Sequence, residues 1–146
     1  PVLHHQHEDI SDHRFEQRGL LHVQLLVHGK PVNVIVVHLG LIPASRGRQI
    51  DQLQRFIRRE VADHEPLLVA GDFNDWGDKL HGPLRSTGLV TFEQFSLPTF
   101  PSAMPLLHLD RIYVRGLQPV TALVPRGRIW ARMSDHLPLV AELAWS

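Results

Sequence analysis

Four apolar runs spaced along the chain each end in, or carry, a polar residue suited to metal binding or proton transfer. They are VVHLGL (36–41), GDFND (71–75), LDRIYV (109–114) and SDHLP (134–138). Short runs rich in Val, Ile and Leu and bounded by Gly, Pro and Asp are strand signals. Their polar members, His38, Asp72, Asn74, Asp110, Asp135 and His136, come from four separate places in the sequence. A fold that satisfies all four runs must gather several strand ends at one location. That requirement points to a layered, sheet-based architecture.

The surrounding sequence supports mixed α and β structure. Residues 18–27 and 32–39 are two β-type runs joined by His28-Gly29-Lys30-Pro31, the spacing of an antiparallel hairpin. The second run is apolar on both faces, as expected of a buried central strand. Ile50, Leu53, Phe56, Ile57 and Val61 recur at three- and four-residue steps, which predicts an amphipathic helix over about Ser45–Ala62. Arg46, Arg48, Arg55, Arg58 and Arg59 fall on its other face and read as a solvated surface, or as a local basic patch. Pro66 is expected to end the helix and open a strand at 66–71. A short helix is predicted around Lys79–Ser86, closed by Gly88, then a proline-rich loop at 96–105. Strands are expected at 107–116, 118–124 and 138–145, with a loop at 125–134. With 146 residues and no internal repeat, a single domain over 1–146 is the expectation.

Composition removes several classes of function. Fifteen basic and fifteen acidic side chains cancel, which argues against a broad nucleic-acid-tracking surface. The chain has no cysteine, so disulfides and thiolate metal sites are excluded. No apolar stretch approaches the roughly 20 residues that cross a bilayer. No leader is visible, and a cytoplasmic location is the default expectation. Among the eleven histidines, the group His4, His5, His7 beside Glu8 and Asp9 lacks metal-ligand spacing and reads as a solvated terminal segment.

Asp72 and Asn74, at i and i+2 just past a buried strand, would share one face if extended and would offer hard oxygen ligands to Mg²⁺ or Mn²⁺. The competing explanation of GDFND is an Asx turn that caps the next element. Asp110, inside an apolar strand, needs a partner. Arg111 is adjacent and points the other way. A histidine oriented by the carboxylate is the sharper expectation, and a structural salt bridge the plainer one. Asp135 and His136 stand at the mouth of a strand, where an acid and an imidazole can bind metal and move protons. His38 fits either that chemistry or a buried imidazole satisfied by backbone.

Read together, VVHLGL, LLVAGDFNDW, TFPS, LDRIYV and SDHLPLVAEL resemble the endonuclease/exonuclease/phosphatase superfamily, from about Phe15 to the C-terminus. The resemblance is to bacterial members of unassigned substrate. It implies a deoxyribonuclease I-like α/β sandwich of helix, sheet, sheet and helix, with Mg²⁺-assisted hydrolysis of a phosphoester by in-line attack of water. Carried over by motif, Asp72 would position the water, Asn74 would hold a phosphate oxygen and Asp135 would bind metal with Asp72 and Asn74. His136, oriented by Asp110, would be the acid/base group. His38 would supply a second imidazole, and Arg18 a phosphate contact.

One departure qualifies the resemblance. Family members carry an Asn and a metal-binding Glu in two early strands, and no such segment occurs here. The chain therefore reads as the C-terminal portion of such a domain, lacking those N-terminal strands. Weak or absent activity and an exposed apolar sheet face are expected of it. The expected substrate is a phosphoester, whether nucleic acid, small molecule or lipid headgroup, and no protein partner is inferable. The alternative is a non-catalytic binding or scaffold protein that keeps the fold. Survival of six polar site positions argues against that.

Overall fold

A computed structural model describes residues 1–92 and 97–146. The first residue of the expected 96–105 loop lies outside that range. The elements in chain order are β1 (Val2–Asp9), β2 (Gly19–Val27), β3 (Lys30–His38), α1 (Pro43–Glu60), β4 (Leu67–Asp72) and α2 (His81–Arg85). They continue with β5 (Val90–Thr91), β6 (Asp110–Arg115), β7 (Leu117–Leu123), α3 (Arg128–Met133) and β8 (Val140–Trp145). Six strands form one sheet in the order β1-β2-β3-β4-β6-β5, and β7 and β8 form a second.

The hairpin is present, and its turn is tighter than the sequence suggested. Strand pairing runs from Leu20↔Val37 to Val27↔Lys30, leaving only His28 and Gly29 unpaired. Both have positive φ, 49° and 76°. That is the two-residue turn whose twist matches the strands it joins.

Alternation along the central strands sends side chains to two different cores. Ile35, Val37, Leu67, Val69 and Tyr113 face α1 and α2, packing with Leu53, Phe56, Ile57 and Leu84. Val32 and Val114, with Val34, Leu68 and Ile112, face the second sheet and meet Leu117, Leu143 and Trp145. The mixed α/β, two-sheet expectation holds. Beyond the reach of β7 and β8 the second face is less covered, and Val36 remains exposed there.

Four local expectations are corrected. The segment read as solvated is strand β1, paired with β2 from Val2 to Asp9 with an irregularity between Val2 and His4. Its polar alternation suits an edge strand that buries neither face. Cross-links hold it in place: Gln6 meets the buried His22 at 3.1 Å, and Glu8 pairs with Arg59. Helix α1 starts at Pro43, where a missing N–H costs nothing. It stops at Glu60 because Val61 turns extended and buries itself, well before Pro66. The supposed arginine face is not uniform either. Arg46 is buried and donates to the carbonyls of Gly40 (3.1 Å) and Leu41 (2.6 Å), while Gln49 accepts from Gly40 N–H at 2.8 Å. Thus α1 clamps the loop that follows His38. Finally, the expected loop at 125–134 contains α3, a short helix with no buried side chain. Among the described residues no helix is long and apolar enough to cross a membrane.

Gly71 permits the close approach of β4 to β3. Its φ is +145°, and an added Cβ would lie 1.8 Å from the Val37 carbonyl oxygen, a main-chain atom that cannot rotate away. Gly71→Ala is therefore expected to lose roughly 3 kcal/mol or more of unfolding free energy. The urea midpoint measures this, and a midpoint equal to wild type would contradict the packing described.

Candidate active site

Strand register builds the site. In the parallel β3–β4 pair His38 lies opposite Asp72, and in the antiparallel β4–β6 pair Asp72 lies opposite Asp110. Three residues distant in sequence therefore form one row across three neighbouring strands. By alternation that row shares the face of Val34, Leu68 and Ile112, away from α1. Arg111 goes to the other face, as expected. There it is buried, donates to the Asp75 carbonyl oxygen at 3.1 Å, and pairs with Asp78.

His136 completes the row from the loop before β8. Its Nδ1 meets Asp110 Oδ2 at 2.6 Å, and its Nε2 faces Asp72 Oδ2 at 3.7 Å. The partner that Asp110 required is thus a histidine and not Arg111. His38 Nε2 stands 3.5 Å from the same Asp72 oxygen. Its side chain is 59% exposed, so the buried-imidazole explanation fails for this residue.

Asp72 and Asn74 do not share an extended face. Asn74 has φ 48°, and Asp72 Oδ1 accepts its backbone N–H at 2.8 Å, which is an Asx turn. The Asn74 amide donates to the Leu39 carbonyl at 2.8 Å, tying this turn to the loop after His38. Asp75 caps the next segment by accepting from Leu80 N–H at 2.8 Å. The turn is at once a structural cap and a wall of the site.

Thr99, the first residue of TFPS, is a further participant in the site. Fully buried, it donates to Asp110 Oδ2 at 2.5 Å, while its carbonyl accepts Leu137 N–H at 2.8 Å. One residue thus holds both the carboxylate and the loop that carries its histidine. The TFP tripeptide was the available signal. Phe100 packs against the His136 ring with centroids 4.9 Å apart.

A cleft of about 540 Å³ opens over these groups, lined by Arg18, His38, Asp72, Asn74, Asp110, Asp135 and His136 together with Leu41, Trp76, Phe100 and Leu109. All seven site positions expected from the sequence therefore meet here. Arg18 is bound to Glu16 at 2.9 Å, and Asp135 is exposed at the mouth. Asp72, Asp110 and His136 each present a ligand atom within 4.8 Å of the others, a set able to hold a metal ion. Asp135 lies outside that set, and no glutamate lines the cleft among the described residues. Carboxylate oxygens suit a hard cation such as Mg²⁺. Because His136 Nδ1 is bound to Asp110, its Nε2 is the ring nitrogen left for the cleft.

Charge crowding shifts two of these groups. Burial raises the Asp72 pKa, and the Asp110 carboxylate adds to this, while the Asn74 N–H, His136 and His38 only partly oppose it. Burial alone would depress His136. The hydrogen bond to Asp110 and the charges of Asp110, Asp72 and Asp135 outweigh it, so its pKa lies above the ordinary value.

Sequence and structure comparisons agree on kinship. The model of the Endonuclease/Exonuclease/phosphatase family matches residues 5–136. The chain belongs to that family. YbhP of Escherichia coli K12, an uncharacterized protein, is 40% identical over 150 residues, covering 98% of this chain and 59% of YbhP. The chain thus spans less than two thirds of that relative's length. An endonuclease/exonuclease/phosphatase of Bacteroides vulgatus superposes with a TM-score of 0.83 at 18% identity, covering all of this chain and 66% of the other. A mannosyl-6-phosphatase of Bacteroides thetaiotaomicron gives 0.78 at 17% identity, covering 99% and 67%. At such identities these likenesses establish the fold alone.

Folding with a raised Asp72 pKa favours the protonated carboxyl. That contribution to stability is present at acid pH and is lost as pH rises through the folded-state pKa. Asp72→Asn cannot ionise. Its melting temperature relative to wild type should therefore climb between about pH 3 and pH 7, starting from the ordinary carboxylate value near 3.9. A constant difference across that range would contradict the crowding.

Proposed function

We propose that the chain is the catalytic part of a metal-dependent phosphoesterase that cleaves its substrate by in-line attack of water. The observation that carries this reading is the 2.6 Å pairing of Asp110 with His136 beside Asp72. A carboxylate that holds Nδ1 fixes the imidazole orientation and favours its charged form. Nε2 then faces the cleft as a proton donor.

Each residue has a role in this scheme. Asp72 is the group that orients water and takes its proton, and burial raises the proton affinity of its carboxylate. His136 Nε2 donates to a phosphoryl or leaving oxygen as negative charge grows there. His38 Nε2 provides a second imidazole on the other side of Asp72. Asn74, anchored through Leu39, keeps the loop geometry and offers its carboxamide to the substrate. Arg18 at the cleft wall supplies fixed positive charge. Asp72 and Asp110, the two carboxylates of the clustered set, would hold Mg²⁺ or Mn²⁺, which when bound would supply Lewis-acid charge at the phosphoryl oxygens.

The test is Mg²⁺-dependent hydrolysis of bis-p-nitrophenyl phosphate. With no glutamate lining the cleft among the described residues, the rate should be slow. It should still exceed that of His136→Ala by about 100-fold and vanish with EDTA. Equal rates for the two proteins, or full activity in EDTA, would refute the proposal.

A further inference from the structure

Helix α3 has a physical inconsistency: a 6-residue helix of which no side chain is buried. Helices this short do not persist on their own, and packing of one face normally holds them. Here Ile129 is 75% exposed, Met133 70% and Trp130 38%. Between and beside them stand Arg126, Arg128 and Arg132, none of which forms an ion pair with the described residues. The neighbouring loop is equally bare, with Met104 and Leu106 exposed by 64% and 67%. Ser102 fastens that loop to the end of α3: its hydroxyl donates to the Ser134 carbonyl at 2.7 Å, and the Ala131 carbonyl lies 3.4 Å away. The two segments are therefore one surface. It borders the cleft, because Ser102 N–H also bonds the Asp135 carbonyl, one residue from His136. Leu41 and Trp76, which line the cleft, are 63% and 62% exposed.

We propose that this rim docks on an anionic lipid bilayer and that the phosphoester presented to the site is a phospholipid headgroup; the second half rests on the phosphoesterase reading above. Aliphatic side chains enter the acyl boundary, Trp130 sits at the headgroup level, and the arginine stems follow the apolar surface while their guanidinium groups meet lipid phosphates. A single nucleic-acid strand would also supply phosphates. Its bases stack on aromatic faces, however, and leave Ile129, Met133, Met104 and Leu106 without partners.

The experiment is co-sedimentation of the chain with vesicles of phosphatidylcholine alone or of phosphatidylcholine and phosphatidylglycerol in equal parts. Binding is expected only to the mixed vesicles. Replacing Arg126, Arg128 and Arg132 by Gln should weaken it roughly fivefold per arginine. Ile129→Ser combined with Met133→Ser should weaken it about tenfold. Val120→Ser, exposed on β7, and His136→Ala should bind as wild type does. All the replaced side chains at the rim are solvent-facing, so melting temperatures should stay unchanged and loss of folding cannot account for loss of binding. Absence of binding to mixed vesicles would overturn the proposal. So would arginine-dependent binding of oligothymidylate in place of vesicles, or a dimer that the Ile129/Met133 variant dissociates. Lost vesicle binding with retained hydrolysis of bis-p-nitrophenyl phosphate overturns this proposal alone. Intact vesicle binding without hydrolysis supports the surface and overturns the headgroup assignment together with the phosphoesterase reading.

Discussion

The register of β3, β4 and β6 is the constraint on which the rest depends. Main-chain pairing places His38, Asp72 and Asp110 in one row, and no side-chain interaction is needed to align them. A slip of one residue in any of these strands would send its polar group to the helix side, into the core made with Phe56 and Leu53. Two features protect the register. Alternating apolar side chains fill a core on each face, so either face penalises a slip. Gly71 also lets β4 lie against the Val37 carbonyl, a fit that only a residue without Cβ accepts.

The row would be costly without its imidazoles. Two carboxylates face each other across the β4–β6 ladder, and like charges in that position repel. His136 bridges them, with one ring nitrogen on Asp110 and the other toward Asp72, while His38 approaches Asp72 from its other neighbour strand. Burial still leaves Asp72 raised, so some strain persists in the resting site. Local expense of this kind is typical where groups are set out for chemistry and the rest of the fold supports them. The support is specific: Thr99 on Asp110, Asn74 on Leu39, Arg46 on Gly40 and Leu41, and Arg111 under the loop that follows Asp72.

Much of this was legible in the sequence. Periodicity revealed the hairpin and α1, and the four motifs supplied His38, Asp72, Asn74, Asp110, Asp135 and His136, all of which line the cleft. Asp110 was expected to need a partner and has one. What escaped notice lacked a local signal. Strand β1 is polar on both sides, and its backbone pairing leaves no trace in hydrophobicity. Arg46 looks like its surface neighbours Arg48 and Arg55, and only the three-dimensional course of the loop at Gly40 buries it. Helix α3 buries nothing, so no period could announce it. Of the two readings open for GDFND, the extended strand end gave way to the Asx turn, which the sequence also allowed. The TFP tripeptide was visible, but the reach of Thr99 to Asp110 depends on a loop folding back across β6.

Asp110 holds His136 by Nδ1 and keeps it charged beyond its ordinary range. The most direct measurement is a titration of the ¹⁵N-labelled histidine rings by NMR, in wild type and in Asp110→Asn. His136 is expected to titrate above the ordinary value of about 6.5 with its Nδ1 proton retained, and Asp110→Asn is expected to lower that pKa. An unshifted His136 that titrates identically in both proteins would contradict it.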